Sequence, residues 1–313
     1  MKTIHLTYPI PDKNDDFPET VAAIGFFDGI HQGHQKVINT ALDLASKQNR
    51  ESAVITFHPH PSVVLRRGQQ QVNYLTPLSE KQEILKGMGI ERMYVITFNE
   101  ELSRLEPQDF ADHFLIGLNI KHLVSGFDFS YGYKGKGSVD TIEEHSRGSF
   151  SFTAVEKVEM DHHKVSSTLI RDCLRNGDIE KANELLGRPF AAHGVVIEGE
   201  KRGRTIGFPT ANLELPEELL MPKIGVYAVT IRYEGQTLKG MANIGYKPTF
   251  HEDVSKPSVE VHIFDYKKQL YGQELVMEWH AFVREEKKFN GIEELIAQLQ
   301  EDEQEIRSIL KEI

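Results

Sequence analysis

The stretch Val21-Ala22-Ala23-Ile24-Gly25-Phe26-Phe27-Asp28-Gly29-Ile30-His31-Gln32-Gly33-His34 decides how this chain is read. Val21 to Phe26 form a short apolar run, as expected of a buried parallel strand. Glycines break the pattern, and beyond them Val37, Ile38, Ala41, Leu42 and Ala45 share one helical face. A strand that turns directly into a helix sets the helix's first N–H groups and its positive dipole end beside the strand's carboxyl end. Such a place holds phosphate. His31 and His34 sit there, and imidazoles can donate to phosphate oxygens as charge builds on them, which transfer of a nucleotidyl group requires.

Working outward, strand-like and helix-like patterns alternate. Ala53–Phe57, Met93–Phe98 and His122–Ser125 are further short apolar runs, with helical stretches from Ser79 to Lys86 and from Pro107 to Ile116 between them. This alternation predicts an α/β doubly wound parallel sheet, with ligands at the carboxyl ends of its strands. Helices over Ser167–Arg175 and Ile179–Leu186 are expected to close a first domain, 1–186. The pattern changes after Gly187. His193–Glu198, Val226–Tyr233, Leu238–Ile244, Val259–Phe264 and Leu275–Phe282 read as strands in series, which predicts a small antiparallel β-barrel over 187–313. A C-terminal helix is expected to start at an Asn290 cap, with Glu293 three residues on. Its stripe of Ile292, Leu295, Ile296, Leu299, Ile306, Ile309 and Leu310 would pack on the barrel.

Composition narrows the function. The net charge is −11, shared as −6 over 1–186 and −5 over 187–313, so an extended nucleic-acid surface is not expected. Short basic spots such as Lys201-Arg202-Gly203-Arg204 can still meet a small anion. No apolar run approaches the ~18 residues of a membrane span, and the start of the chain lacks a signal-peptide core. Cys173, the one cysteine, has no partner for an internal disulfide and fits a reducing cytoplasm, with a packing role. A monomer or a weak homo-oligomer is expected.

Three more segments bear on the first site. Phe57-His58-Pro59-His60-Pro61 follows the second strand, and Gly126-Phe127-Asp128-Phe129-Ser130-Tyr131-Gly132 follows the fourth. Ser166-Ser167-Thr168-Leu169-Ile170-Arg171 opens a helix with hydroxyls and an arginine, which suits phosphate. A purely structural turn and a zinc site on His31, His34, His58 and His60 are the competing readings. The glycine spacing does not fit a dinucleotide fingerprint.

With these segments in this order, the chain resembles the prokaryotic bifunctional riboflavin kinase/FMN adenylyltransferases, often called FAD synthetases, over nearly its whole length. The first half looks like their His-x-Gly-His nucleotidyltransferase module, in which a phosphate oxygen of FMN attacks the α-phosphorus of ATP and pyrophosphate leaves. The resemblance implies that His31 and His34 stabilise charge on the reacting phosphates. It implies that Gly25, Phe27, Asp28, Gly33, Ser166, Ser167, Thr168 and Arg171 hold ATP, and that His60 and Asp128 lie near flavin and nucleotide. His58 stands where many relatives have aspartate, which leaves its role open.

The second signal is Gly203-Arg204-Thr205-Ile206-Gly207-Phe208-Pro209-Thr210-Ala211-Asn212. Its glycines allow close approach of a ligand, and its residue types equally suit an ordinary hairpin turn. No Gly-Lys-Ser/Thr follows, so it is not a Walker loop. It resembles the riboflavin kinase loop over the ATP phosphates. That implies ATP contacts from Gly203, Arg204, Gly207 and Pro209, and Mg²⁺ ligation by Thr210 and Asn212. Asn243 to Phe250 also looks like a family segment. The matching base is Glu260, which would take the proton of the ribityl hydroxyl as it attacks the γ-phosphate. Riboflavin, FMN and ATP are the expected small-molecule partners, with flavins and Mg²⁺ completing the chemistry. A related nucleotidyltransferase acting on nicotinate mononucleotide or phosphopantetheine, and a non-enzymatic flavin sensor, remain as alternatives.

Overall fold

A computed structural model describes residues 1–10, 17–65, 72–199, 202–246 and 257–313. Contacts divide the chain into two units, Met1–Ser166 and Ser167–Ile313.

In the first unit β1 (Lys2–Leu6), β2 (Thr20–Ile24), β3 (Glu51–His58), β4 (Arg92–Thr97), β5 (Ile120–Gly126) and β6 (Ser151–Val155) form one sheet in the order β1-β4-β3-β2-β5-β6. Every pairing is parallel. The central strands are buried on both faces. Val21 and Ala23 join Val37, Ile38 and Ala41 of α1 (Gln32–Gln48) on one side. Ala22 and Ile24 join Phe110, Phe114 and Leu115 on the other. The alternation of side chains across a strand thus explains an unbroken apolar run. Strand order reverses at β2: β3 and β4 lie on one side of it and β5 on the other. The carboxyl ends of β2 and β5 flank that switch point, where open α/β sheets bind ligands.

The doubly wound parallel sheet agrees with the expectation, but β1 and β6 were not anticipated. Both are edge strands, each with a single buried residue. Their half-polar sequences, Lys2-Thr3-Ile4-His5-Leu6 and Ser151-Phe152-Thr153-Ala154-Val155, lack the apolar run by which the inner strands were found. The helix expected over Pro107–Ile116 is α-helical only over Pro107–Phe110 and widens to a π-helix over Ala111–Ile116.

In the second unit α2 (Ser167–Asn176) and α3 (Ile179–Leu186) pack on each other, and α3 packs on the barrel. The division by contacts therefore falls two helices before the boundary expected at Gly187. Cys173 is buried in α2, and burial pushes its thiol up. The barrel comprises β7 (Phe190–Ile197), β8 (Ala211–Glu214), β9 (Gly225–Tyr233), β10 (Gln236–Gly245), β11 (Ser258–Ile263) and β12 (Glu274–Arg284). It closes in the order β7-β8-β11-β10-β9-β12. Five of these strands were expected. β8 was not, because four residues after a Pro-Thr turn carry little strand signal.

The C-terminal helix α4 (Ile292–Ile309) lays Ile296, Leu299 and Ile306 on a cluster with Met241, Phe264 and Ala281. Two details of the expected helix are corrected. Its N-cap is Gly291, while the Asn290 backbone and side-chain amides donate to Glu294 Oε2 at 2.9 and 3.2 Å. Ile292 and Ile309 fall outside the packed stripe, at 53% and 37% exposed. Instead Asp302, 1% exposed, accepts from Arg284 at 2.6 to 3.0 Å and fastens the helix to β12. Asp302→Ala would strand that guanidinium in a desolvated place. The expected cost is about 3–5 kcal/mol of second-unit stability, measured by denaturant unfolding.

Candidate active sites

The first site is built where β2 ends. His31 caps α1 with extended backbone (φ −70°, ψ 171°), and its Nδ1 accepts the His34 N–H at 3.2 Å. A ring nitrogen that accepts carries no hydrogen, so Nε2 is left as the donor in the neutral ring. The His31 and His34 rings stack with centroids 3.6 Å apart and 16° between planes. Gly33 permits this, because a Cβ there would lie 3.1 Å from His31 Cε1. Phe27, 3% exposed, meets the His34 ring edge-on at 5.3 Å. The two histidines are therefore held by their own loop.

Asp28, expected to contact ATP, is 2% exposed, and its carboxylate accepts from Leu75 N and Thr76 N at 3.2 and 3.0 Å. It ties the loop to the segment that precedes the helix at Leu78–Gly87. His60 N–H donates to the Tyr74 hydroxyl at 2.9 Å, and its Nδ1 accepts from Ser62 N. The His60 ring stands edge-on to Phe26 at 4.5 Å. The His58 ring lies 6.0 Å from Tyr74. Among the described residues no group of three or more His, Cys, Asp or Glu could hold a metal ion.

Beside the loop opens a cleft of about 650 Å³, lined by Gly25, Phe26, Phe57, Phe98, Phe129 and Tyr131 among others. Phe129 and Tyr131 stack at 5.5 Å. The Tyr131 hydroxyl shares a 2.5 Å hydrogen bond with His145 Nδ1, and burial pushes its pKa up. Asp128 is exposed at the same end of β5, and Lys164 Nζ donates to it at 2.6 Å. Ser166 ends the first unit, whereas Ser167, Thr168 and Arg171 lie on the first two turns of α2 in the second. Sequence reasoning missed Tyr74, His145 and Lys164, since nothing in their spacing ties them to the loop.

In the second unit the loop before β8 makes a 3₁₀ turn over Arg202–Ile206, and Phe208 N donates to Gly203 O at 2.9 Å. A Cβ on Gly203 would overlap the Phe208 carbonyl oxygen, so no larger residue fits. Lys201 lies outside the described residues, as do Lys247 to Phe250 of the family-like segment. Arg204 donates to the Tyr271 hydroxyl at 3.3 Å, Gly207 has a positive φ of 88°, and the Pro209 carbonyl accepts from His262 Nδ1 at 2.7 Å.

Glu260 on β11 pairs with Asn212 on β8 and with Asn243 on β10. Directly paired residues point to one face of a sheet, so the three side chains stand in a row. The Thr210 hydroxyl donates to Glu260 Oε2 at 3.2 Å, and Asn243 Nδ2 donates to Glu286 Oε1 at 3.2 Å. Thr210, Asn243, Glu260 and Glu286 line a cleft of about 760 Å³ that continues to Phe289 and Leu299. Asn243 was read only as the start of a family-like segment and Glu286 not at all, because barrel closure alone brings them to Glu260. Of the aromatics in these two loop segments, Phe208 is buried in the cluster beneath α4, Tyr246 is exposed on the cleft, and Phe250 lies outside the described residues.

Comparison with known proteins places these sites in context. Residues 13–169 match the FAD synthetase family and residues 186–310 the riboflavin kinase family. The chain is 47% identical over 313 residues to a bifunctional riboflavin kinase/FMN adenylyltransferase of Listeria monocytogenes, covering 100% of this chain and 99% of that one. It is 47% identical over 306 residues to the protein of that name from Bacillus subtilis, covering 97% of each. A crystal structure of a Streptococcus pneumoniae protein described as macrolide-efflux protein has a TM-score of 0.89 at 32% identity, covering 98% of this chain and 99% of that one. Among the described residues of this chain no helix is long and apolar enough to cross a membrane.

Proposed function

The chain belongs to the bifunctional riboflavin kinase/FMN adenylyltransferase family, and on that premise we propose how its residues divide the two reactions. It phosphorylates riboflavin to FMN with ATP and then transfers an adenylyl group from ATP to FMN, giving FAD and pyrophosphate. Adenylyl transfer is assigned to residues 1–186 and riboflavin phosphorylation to 187–313. The observation that carries this reading is that each unit pairs a cleft of flavin size, about 650 and about 760 Å³, with a loop suited to phosphate.

In the first reaction an FMN phosphate oxygen attacks the α-phosphorus of ATP, the bond to the β-phosphate oxygen breaks, and pyrophosphate departs. The enzyme supplies charge stabilisation rather than a nucleophile. His31 and His34 donate to the phosphates as negative charge shifts toward the leaving group. Gly25, Phe27 and Gly33 shape the loop, and Asp28 anchors it. Ser166, Ser167, Thr168 and Arg171 hold the ATP phosphates. The aromatic cleft with Phe129 and Tyr131 takes the isoalloxazine ring, with His60 and Asp128 at its rim.

In the second reaction Glu260 accepts the proton of the terminal ribityl hydroxyl as that oxygen attacks the γ-phosphate of ATP, and ADP leaves. Gly203, Arg204, Gly207 and Pro209 cover the phosphates. Thr210 and Asn212 offer neutral oxygens next to the Glu260 carboxylate, a donor set that suits a hard cation sharing its shell with phosphate. Mg²⁺ bound there would neutralise charge on the phosphate oxygens.

The full-length protein given riboflavin, ATP and Mg²⁺ should yield FMN first and FAD after it, followed by chromatography. Binding of riboflavin without either product would overturn the reading in favour of a sensor. Excess EDTA should abolish both products. Asn212→Ala should raise the Mg²⁺ concentration for half-maximal FMN formation about 10-fold without affecting FAD formation from FMN. We further assign the enzyme to the cytoplasm as a monomer or weak homo-oligomer without nucleic-acid partners, a reading supported by its net charge of −11 and single cysteine.

A further inference from the structure

The adenylyl-transfer unit holds a lysine inside its protein interior, and no step above uses it. Lys81, in the first turn of the helix Leu78–Gly87, is 3% exposed. Its Nζ donates to the Phe26 carbonyl oxygen at 2.6 Å and to Thr56 Oγ1 at 3.1 Å. It lies 4.7 Å from the centroid of the Phe26 ring. The Thr56 hydroxyl donates to the same carbonyl at 3.0 Å. Taking an ammonium out of water is costly, and a lysine persists there only where fixed oxygens replace its hydration. An apolar side chain would fill the space at lower cost, so the charge itself has a task.

That task is visible in the loop. Phe26 is tied by its carbonyl to Lys81. Asp28 is tied by its carboxylate to Leu75 N and Thr76 N, only a few residues earlier. One short segment, residues 75–81, thus grips both neighbours of Phe27. Phe27 itself has φ 52°, a left-handed conformation that a bulky side chain adopts at a cost. With its neighbours fixed on either side, the residue cannot relax toward the extended region. In that conformation its ring meets His34 edge-on at 5.3 Å, and His34 stacks on His31.

We infer that Lys81 is a positioning residue for adenylyl transfer: by holding the Phe26 carbonyl it keeps Phe27 in its left-handed conformation and so sets the angle of the His34 ring. The inference rests on the assignment of His34 to the reacting phosphates.

The test is a double-mutant cycle in the full-length protein, with FAD formation from FMN and ATP as the readout. Riboflavin phosphorylation by the same preparations serves as the internal standard. Lys81→Met should lower kcat for FAD formation about 10- to 100-fold with KM for ATP changed less than about 3-fold, since the substrate contacts remain and the donor is misaligned. Kinase turnover should be unchanged. In a His34→Ala background the same substitution should cost less than about 3-fold, because the ring it positions is gone. A mere loss of folded protein would multiply equally in both backgrounds. If Lys81→Met does not fold, Thr56→Val, which removes the other donor to the same carbonyl, carries the cycle with an expected loss of about 3- to 10-fold. Wild-type kcat in the single variant, or an equal fold-loss in both backgrounds, would overturn the role of Lys81. Wild-type turnover in His34→Ala alone would instead remove the assignment on which it rests.

Discussion

His34→Ala is expected to lose FAD formation from FMN and ATP by about 100- to 1,000-fold, the usual cost of deleting one preorganised donor from a charge-stabilising site. Riboflavin phosphorylation in the same chain should stay at the wild-type rate, because the residues proposed for that reaction lie in the other unit. The size of the effect follows from how firmly the ring is held. His34 is stacked on His31 and bounded by the edge of Phe27, so its donor does not have to be ordered as charge develops. His31→Ala should give a similar loss of transfer, with a second effect. The His31 imidazole is also the N-cap acceptor of α1, and removing a cap costs about 0.5–2 kcal/mol. His31→Asn separates the two roles: asparagine can cap, so thermal stability should return toward wild type while FAD formation remains low. Chromatographic rates and thermal unfolding check both statements. FAD formation within about 10-fold of wild type in both alanine variants would leave the histidines without a part in the chemistry.

Glu260→Gln is expected to lose FMN formation by about 100- to 10,000-fold, the range in which general-base catalysis contributes. Glutamine keeps the length of the side chain and can still accept from Thr210, so the fold and the row of Asn212, Glu260 and Asn243 should persist. What it cannot do is take a proton from the ribityl hydroxyl. The half-buried strand position gives the carboxylate a fixed direction toward the cleft, where Asn243 and Glu286 lie on its far side. FMN-to-FAD conversion should be spared, which distinguishes a lost base from a damaged protein. Wild-type riboflavin phosphorylation by the variant would remove Glu260 from the mechanism.

How much of this was readable beforehand differs by element. The inner strands β2 to β5 announced themselves as apolar runs because both their faces are buried, and α1 because its buried residues recur with helical spacing. The edge strands β1 and β6 did not, since one exposed side leaves room for lysine, histidine and serine in their sequences. In the barrel, β8 hid inside a loop motif whose residues are also turn formers. At the candidate sites, the two histidines and the Thr210–Asn212 pair could be proposed from sequence because each motif is contiguous. Asp28 was read as lying at the ATP phosphates; the occupation of its carboxylate by two backbone N–H groups of residues 75 and 76 was not legible. That occupation depends on a segment more than forty residues away.

Local spacing along the chain determined the two candidate phosphate loops, the alternation of strands with helices, and the change to strands in series after Gly187, because these depend on side-chain periodicity and turn chemistry within a few residues. Only the tertiary structure decided that β2 and β5 flank the switch point, that Asn212, Glu260 and Asn243 stand in one row, and that Lys81 reaches the Phe26 carbonyl. Those relations join residues 17 to about 100 positions apart, and they exist only once sheet order and barrel closure have been set by burial of the whole apolar surface.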